Sequence, residues 1–173
     1  MNEVRVNAVA LILTLAGLTP QAATAAAGER IEKFWELDES GVYQFGPWVL
    51  FDGETVTPAS PPGAQDIAIF DVEAVGVPRQ SGYDVFLDRQ EHAFAIRIAD
   101  DVRLITGTSK LHAGNGGINI GMGTGREGSL NLSGWLKSAG EVRIGSGLPN
   151  LPTSSFSMDS LSRLDAAGGV RVE

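Results

Sequence analysis

The sequence predicts an all-β fold, a right-handed parallel β-helix (β-solenoid) with an aromatic N-terminal cap, and three observations carry that expectation. One phrase, two aliphatics flanking a polar residue and followed by a small one, is written three times: Ile118-Asn119-Ile120-Gly121, Leu130-Asn131-Leu132-Ser133 and Val142-Arg143-Ile144-Gly145. The copies begin at positions 118, 130 and 142, so the step between them is constant. A unit repeated at fixed period cannot bury its apolar face alone and must stack on its neighbours. The chain also has 22 glycines with no Gly-X-Y triplet, which signals many tight turns. Finally, Phe34, Trp35, Tyr43, Phe45, Trp48 and Phe51 crowd a short span before the repeats begin.

The segment 1–27 reads as an export signal. Arg5 supplies a thin positive start opposed by Glu3, Ala8 to Leu18 is apolar, and small residues at Ala23, Ala25 and Ala27 fit a cleavage site. The apolar run is too short for a bilayer, which needs about 20 residues. No second apolar span follows, so no integral membrane span is expected after cleavage. An exported chain is therefore predicted: extracellular, cell-surface or periplasmic.

The segment 28–60 is the expected cap. Glu29 to Asp38 is compatible with one or two helical turns, whereas Trp48-Val49-Leu50-Phe51 before Asp52-Gly53 reads as a strand entering a turn. Aromatic bulk is a sensible lid for the dry end of a rod, because terminal units of a stack are atypical. Thr57 to Gly63, with three prolines, reads as a linker, and the segment 61–173 as the solenoid.

From Asp66 the apolar alternation is regular, through Ile67/Ile69, Val85/Leu87, Ile96/Ile98 and Val102/Leu104. In the repeated phrase Ile118, Ile120, Leu130, Leu132, Val142 and Ile144 are the expected stack, since alternate residues of a strand share a face. Gly121, Gly134 and Gly145 are the expected corners, where positive φ is cheap without a Cβ. Two phrases would make one coil of about 24 residues, with coils roughly 4.8 Å apart. Leu148 to Pro152 interrupts the period as an excursion, and Leu161, Leu164, Val170 and Val172 resume it. The last strand runs to Glu173, so the solenoid is expected to be incomplete at its C-terminus.

The segment Pro61-Pro62-Gly63-Ala64-Gln65-Asp66-Ile67-Ala68-Ile69-Phe70-Asp71, preceded by Trp35 and Trp48, resembles the opening of secreted bacterial proteins with autotransporter-associated β-strand repeats. The glycine-rich phrases around Ile118, Leu130 and Val142 are similar to their repeats. The resemblance implies a surface-associated, adhesin-like solenoid. The chain departs from the family in its small size and in lacking a long repeat array, a C-terminal barrel or a sorting tail.

Composition narrows the chemistry. A formal charge of −8, with no basic run in the sequence, argues against nucleic acid. Absence of cysteine excludes disulfides and zinc-thiolate sites. Asp84, Asp88, Asp100 and Asp101 form an acidic cluster near the first coils, and carboxylates on adjacent coils can hold calcium or act as acid and base on a polysaccharide. Against that stands the habit of Asp to satisfy turn backbone, and no basic residue completes a lyase-like set. Arg89, Arg97 and Arg103 read as outward partners of apolar positions.

Gly114 to Gly121 lacks the aspartate of calcium-binding glycine-rich nonapeptides, and Gly121 to Gly125 lacks the helix and lysine of a phosphate cradle. His92 and His112 could meet on successive coils, but two ligands do not make a metal site. The polar row Asn119, Asn131 and Arg143 is expected as an outer ladder able to solvate the face or meet a glycan. The reading is a secreted or cell-surface structural or adhesive module, without catalytic residues, cofactor or metal. Its expected partners are a surface glycan or other repeat proteins. The alternative is a fragment of a polysaccharide-processing β-helix enzyme, a lyase or glycoside hydrolase.

Overall fold

The computed structural model describes residues 30–79, 81–121, 127–145 and 154–173. The expected signal segment and the excursion at Leu148 to Pro152 lie outside these residues. Thirteen strands are described: β1 (Glu32–Trp35), β2 (Gly41–Val42), β3 (Trp48–Phe51), β4 (Val56–Pro58), β5 (Ile67–Phe70), β6 (Tyr83–Phe86), β7 (Glu91–Ile98), β8 (Asp101–Ile120), β9 (Ser129–Ser138), β10 (Val142–Ile144), β11 (Ser155–Met158), β12 (Arg163–Ala166) and β13 (Val170–Val172). One 3-10 turn, Val72–Val75, is the only helical element among the described residues.

The strands wind as a parallel β-solenoid of about four turns, and each coil has three sides. The first side stacks β1, β5, the end of β7, the end of β8, β10 and β13. The second stacks β2, β6, the start of β8, the start of β9 and β11. The third stacks the start of β7, the middle of β8, the end of β9 and β12. Every ladder between coils is parallel, so the backbone groups of one coil are satisfied by the coils beside it.

Ala68, Ile96, Ile118, Val142 and Val170 occupy one place on successive coils. The coils are therefore unequal in length, shortest between Ile96 and Ile118. The constant step of the repeated phrase is a walk around the coil rather than up the stack. Ile118 and Val142 sit one above the other on the first side, while Leu130 lies on the second beneath Val102. The third side, Trp135 to Ser138, carries no copy of the phrase, which is why two phrases and a further strand fill one coil. For the same reason Asn119, Asn131 and Arg143 do not form one ladder. Asn119 and Arg143 share a row, and Asn131 stands on another side.

The interior is dry. Ile118, Ile120, Leu130, Leu132 and Val142 are almost fully buried, with Ile144 close behind, in one continuous core. Ile67 and Ile69 belong elsewhere: they face outward, in register with Ala95 and Arg97, while Ala68 and Phe70 point in. Phe34, Val49, Val75 and Ala95 close over them as a second, outer core, so β5 is buried on both faces.

Corners are made by glycines where neighbouring coils leave no room. Gly134 has φ +126, and an added Cβ would lie 2.0 Å from Thr106 Oγ1 of the coil above. From the coil below, Ser162 Oγ accepts the Gly134 amide at 2.8 Å and donates to Leu132 O at 2.8 Å. Gly121 and Gly145, with φ +77 and +113, turn the first side in the same left-handed conformation.

The aromatic segment does close one end, and it does so as part of the stack. The stretch compatible with helix is strand β1, paired in parallel with β5, and β2 pairs in parallel with β6. Both stand in columns continuous with the coils that follow Pro61. Trp35 takes the inward place above Phe70, its ring 5° from parallel with Tyr83 at 6.0 Å and edge-on to Trp48 at 5.2 Å. Trp48 Nε1 donates to Tyr43 O at 2.7 Å, so the buried indole keeps its hydrogen bond. The antiparallel hairpin β3–β4 then extends the first side to an edge at Pro58, which offers no N–H to a further strand. Lys33, inward on the same row as Ala68, reaches up to Asp66 at 2.9 Å and Ser60 at 3.1 Å, so its charge is paired at the rim of the core.

Two substitutions test this packing. Leu132→Asp buries an unpaired carboxylate at a site with no exposure, costing several kcal/mol, and is expected to abolish cooperative melting by circular dichroism. Gly46→Ala would set a methyl 2.2 Å from Trp35 Cζ3 and is expected to lower the melting midpoint by several degrees with the far-ultraviolet spectrum retained.

Candidate functional site

The second side of the solenoid carries a polar groove. Its outward positions alternate with the buried Tyr83, Val102 and Leu130, and they gather into rows because the register is continuous from coil to coil. Asp84, Arg103, Asn131 and Ser157 form one row, with Asp101, Ser129 and Ser155 beside it. Phe86, substantially exposed, and Ile105 lie on the next row. The groove has a volume of about 270 Å³ and is lined by Gly82, Asp84, Asp101, Arg103, Ser129 and Asn131.

Both carboxylates in the groove are engaged. Asp84 is held in a fork by Arg103, whose Nε donates at 2.8 Å and whose second nitrogen completes the pair. Asp101 accepts from Ser129 Oγ at 2.6 Å and from Arg79 at 3.2 Å. Arg79 in turn donates to Ala99 O at 3.0 Å, which fixes it against the coil edge. A forked guanidinium–carboxylate pair is planar and directional, and its outer edges remain free to meet hydroxyl groups.

The expected acidic cluster is therefore divided. Asp84 and Asp101 share the groove, on adjacent coils. Asp88 stands apart, exposed in the bend before β7 beside Arg89. Asp100 is buried with 1% exposure and points inward, where its Oδ2 accepts from the Val72 amide at 3.0 Å and from Tyr83 Oη at 2.9 Å. Burial pushes its carboxyl above the usual aspartate range, against the two hydrogen bonds and with help from Asp71. The Tyr83 hydroxyl is pushed well up by burial and by Asp100. A carboxyl with the raised proton affinity that an acid catalyst needs thus faces the core, out of reach of a substrate in the groove.

His92 and His112 do meet on successive coils of the third side, their rings 4.8 Å apart and 28° from parallel. They stack instead of converging on a common point. Among the described residues no group of three or more His, Asp and Glu side chains is placed to hold a metal ion. No helix among those residues is long and apolar enough to cross a membrane.

Asp84 and Asp101 can be named from the sequence, whereas Arg103 reads there only as an outward residue, and nothing local points to Arg79, Ser129 or Phe86. Alternation marks Arg103 and Asn131 as outward, yet only the length of the coil between them places Asn131 beside Arg103. That length is not written in the constant step of the repeated phrase.

Asp100 gives a pH prediction. Because its native pKa exceeds the unfolded value, the stabilisation from its proton is complete below about pH 4 and lost as pH rises through the native value. Asp100→Asn is expected to remove that slope, so that urea denaturation at about pH 4 and about pH 7 gives more similar stabilities than in the parent chain. Compared with models of known families, with curated proteins and with solved structures, the chain matches none.

Proposed function

We propose that the chain is a secreted or cell-surface β-solenoid that acts as a structural and adhesive module and binds without catalysing. The observation that carries this reading is the state of the groove carboxylates. Asp84 and Asp101 are each locked to an arginine, while Asp100, the carboxylate with the raised proton affinity, is buried. A general acid and base pair needs two carboxyl groups facing one substrate with separated proton affinities. A binding surface needs fixed donors and acceptors, which the Asp84–Arg103 fork, Asn131 and Ser129 supply beside the exposed ring of Phe86.

The ligand suited to such a surface is a neutral, hydroxyl-rich glycan, met by planar polar groups and an aromatic face. Attachment at a bacterial surface, in the manner of autotransporter-associated repeat proteins, belongs to the same proposal. It is supported by the Trp-rich opening and the glycine-rich phrases.

Incubating the chain with neutral glycans and with pectate-like polymers, with and without calcium, tests this. Retention of a neutral glycan with no change in the length of the polymer is expected, and Arg103→Ala or Asn131→Ala should weaken it by about tenfold. Turnover of any of these polymers, abolished by Asp101→Asn, would overturn the reading in favour of a polysaccharide-processing enzyme.

A further inference from the structure

Among the described residues, the third side of the solenoid carries two lysines outside any ion pair. On the first side Arg97, Arg143 and Arg171 are each bound to a glutamate: Glu32, Glu141 and Glu173. On the second, Arg103 and Arg79 hold Asp84 and Asp101. The third side presents two outward rows. One runs Lys110, Trp135, Arg163, and the other His92, His112, Lys137, Asp165, each on successive coils.

Neither Lys110 nor Lys137 forms an ion pair among the described residues. Lys110 Nζ lies 3.4 Å over the Trp135 ring centroid, and Arg163 Cζ lies 4.8 Å from it, approaching from the coil on the other side. The single carboxylate on these rows, Asp165, is taken by Arg163 Nε at 2.8 Å and Trp135 Nε1 at 3.0 Å. Glu91, between the rows at the edge of the core, is taken by Arg89 at 2.7 Å. A chain of net charge −8 thus carries one positive stripe, built from residues too far apart in sequence to form a basic run.

We propose that this stripe binds a linear acidic polysaccharide, its anionic groups following the coils, and that His112 strengthens the binding as pH falls. A linear polymer fits because three successive coils, about 4.8 Å apart, each add one cation, Lys110, Lys137 and Arg163, on alternating rows. The covered Trp135 ring argues against a single-stranded nucleic acid. Single-stranded nucleic acids bind by stacking bases on open rings, and Lys110 and Arg163 already cover Trp135.

His112 supplies the pH dependence. His112 sits between His92 and Lys137, with Lys110 on the adjoining row, and its Nε2 is buried without a hydrogen-bond partner. Burial, then His92, Lys137 and Lys110, hold its pKa below the usual histidine value. The charged groups facing the stack are Glu91 and Arg89 from β7 and the bend before it, Lys110 from β8, Lys137 from β9, and Asp165 and Arg163 from β12. With both nearby carboxylates committed, protonation of His112 is opposed by its own neighbours. An anion laid along the stripe removes that opposition, so anion binding and proton uptake are linked and reinforce each other. The stripe is separate from the groove on the second side, and its behaviour does not depend on what that groove binds.

Titration calorimetry of the full chain at low salt tests the proposal, with polygalacturonate, dextran sulfate, uncharged dextran and single-stranded DNA as probes. Both acidic polysaccharides should bind at about pH 5.5 and at least about fivefold more weakly at about pH 7.5, and any retention of uncharged dextran, which belongs to the groove on the second side, should be the same at both pH values. Lys137→Gln, at an exposed position, should weaken binding about fivefold with the fold retained by circular dichroism, whereas Arg143→Gln on the first side should not. His112→Gln should bind at the higher pH like the parent and lose the gain at the lower one. No binding at the lower pH, equal binding by Lys137→Gln, a pH gain that survives in His112→Gln, or tighter binding to DNA than to either polysaccharide would each overturn it.

Discussion

Parallel hydrogen bonding between coils is the constraint on which the rest of this molecule depends. A strand such as β8 cannot satisfy its backbone within its own coil. It borrows donors and acceptors from β6 and β7 on one side and from β9 and β10 on the other. That requirement leaves the coil length free to vary along the first side, but it fixes which side chain stands above which. Inward places are therefore aliphatic in coil after coil, and corners must be small where the next coil crosses them. Gly134, pinned between Thr106 and Ser162, shows both demands at once.

The same registration governs the surface. A charge on one coil has neighbours at strand spacing above and below, so like charges cannot be placed without compensation or cost. On two sides the arginines meet carboxylates. In the groove this converts candidate catalytic groups into fixed hydrogen-bonding fixtures. On the third side compensation is partial, and a lysine and stacked histidines share a row with a single, already engaged aspartate. The contrast between sides is a property of the stack, since each row draws one residue from each coil.

How the stack is closed follows from the same physics. A dry interior open at its end would expose aliphatic rows to water, and the first coil answers with Trp35, Trp48 and Tyr43 in place of Ile and Val. The edge beyond them ends at Pro58, and Lys33 carries its charge out to Asp66 at the rim. Closure is thus achieved with residues continuous with the columns they cap.

Much of the fold was legible because its signals are local. Period-two alternation marks Ile118, Leu130 and Val142 as strand interiors, glycines mark corners, and clustered aromatics mark a lid. Those features depend on a few neighbouring residues and on backbone sterics. The candidate site was legible only in part: Asp84 and Asp101 could be named, but not the arginines that neutralise them, nor the inward turn of Asp100. The third side, the outward facing of Ile67 and Ile69, and the positive stripe of Lys110, Lys137 and Arg163 left no mark in the linear pattern. Which residues share a row depends on how many residues each corner consumes, and that number is decided only when one coil's backbone finds its hydrogen-bonding partners on the next.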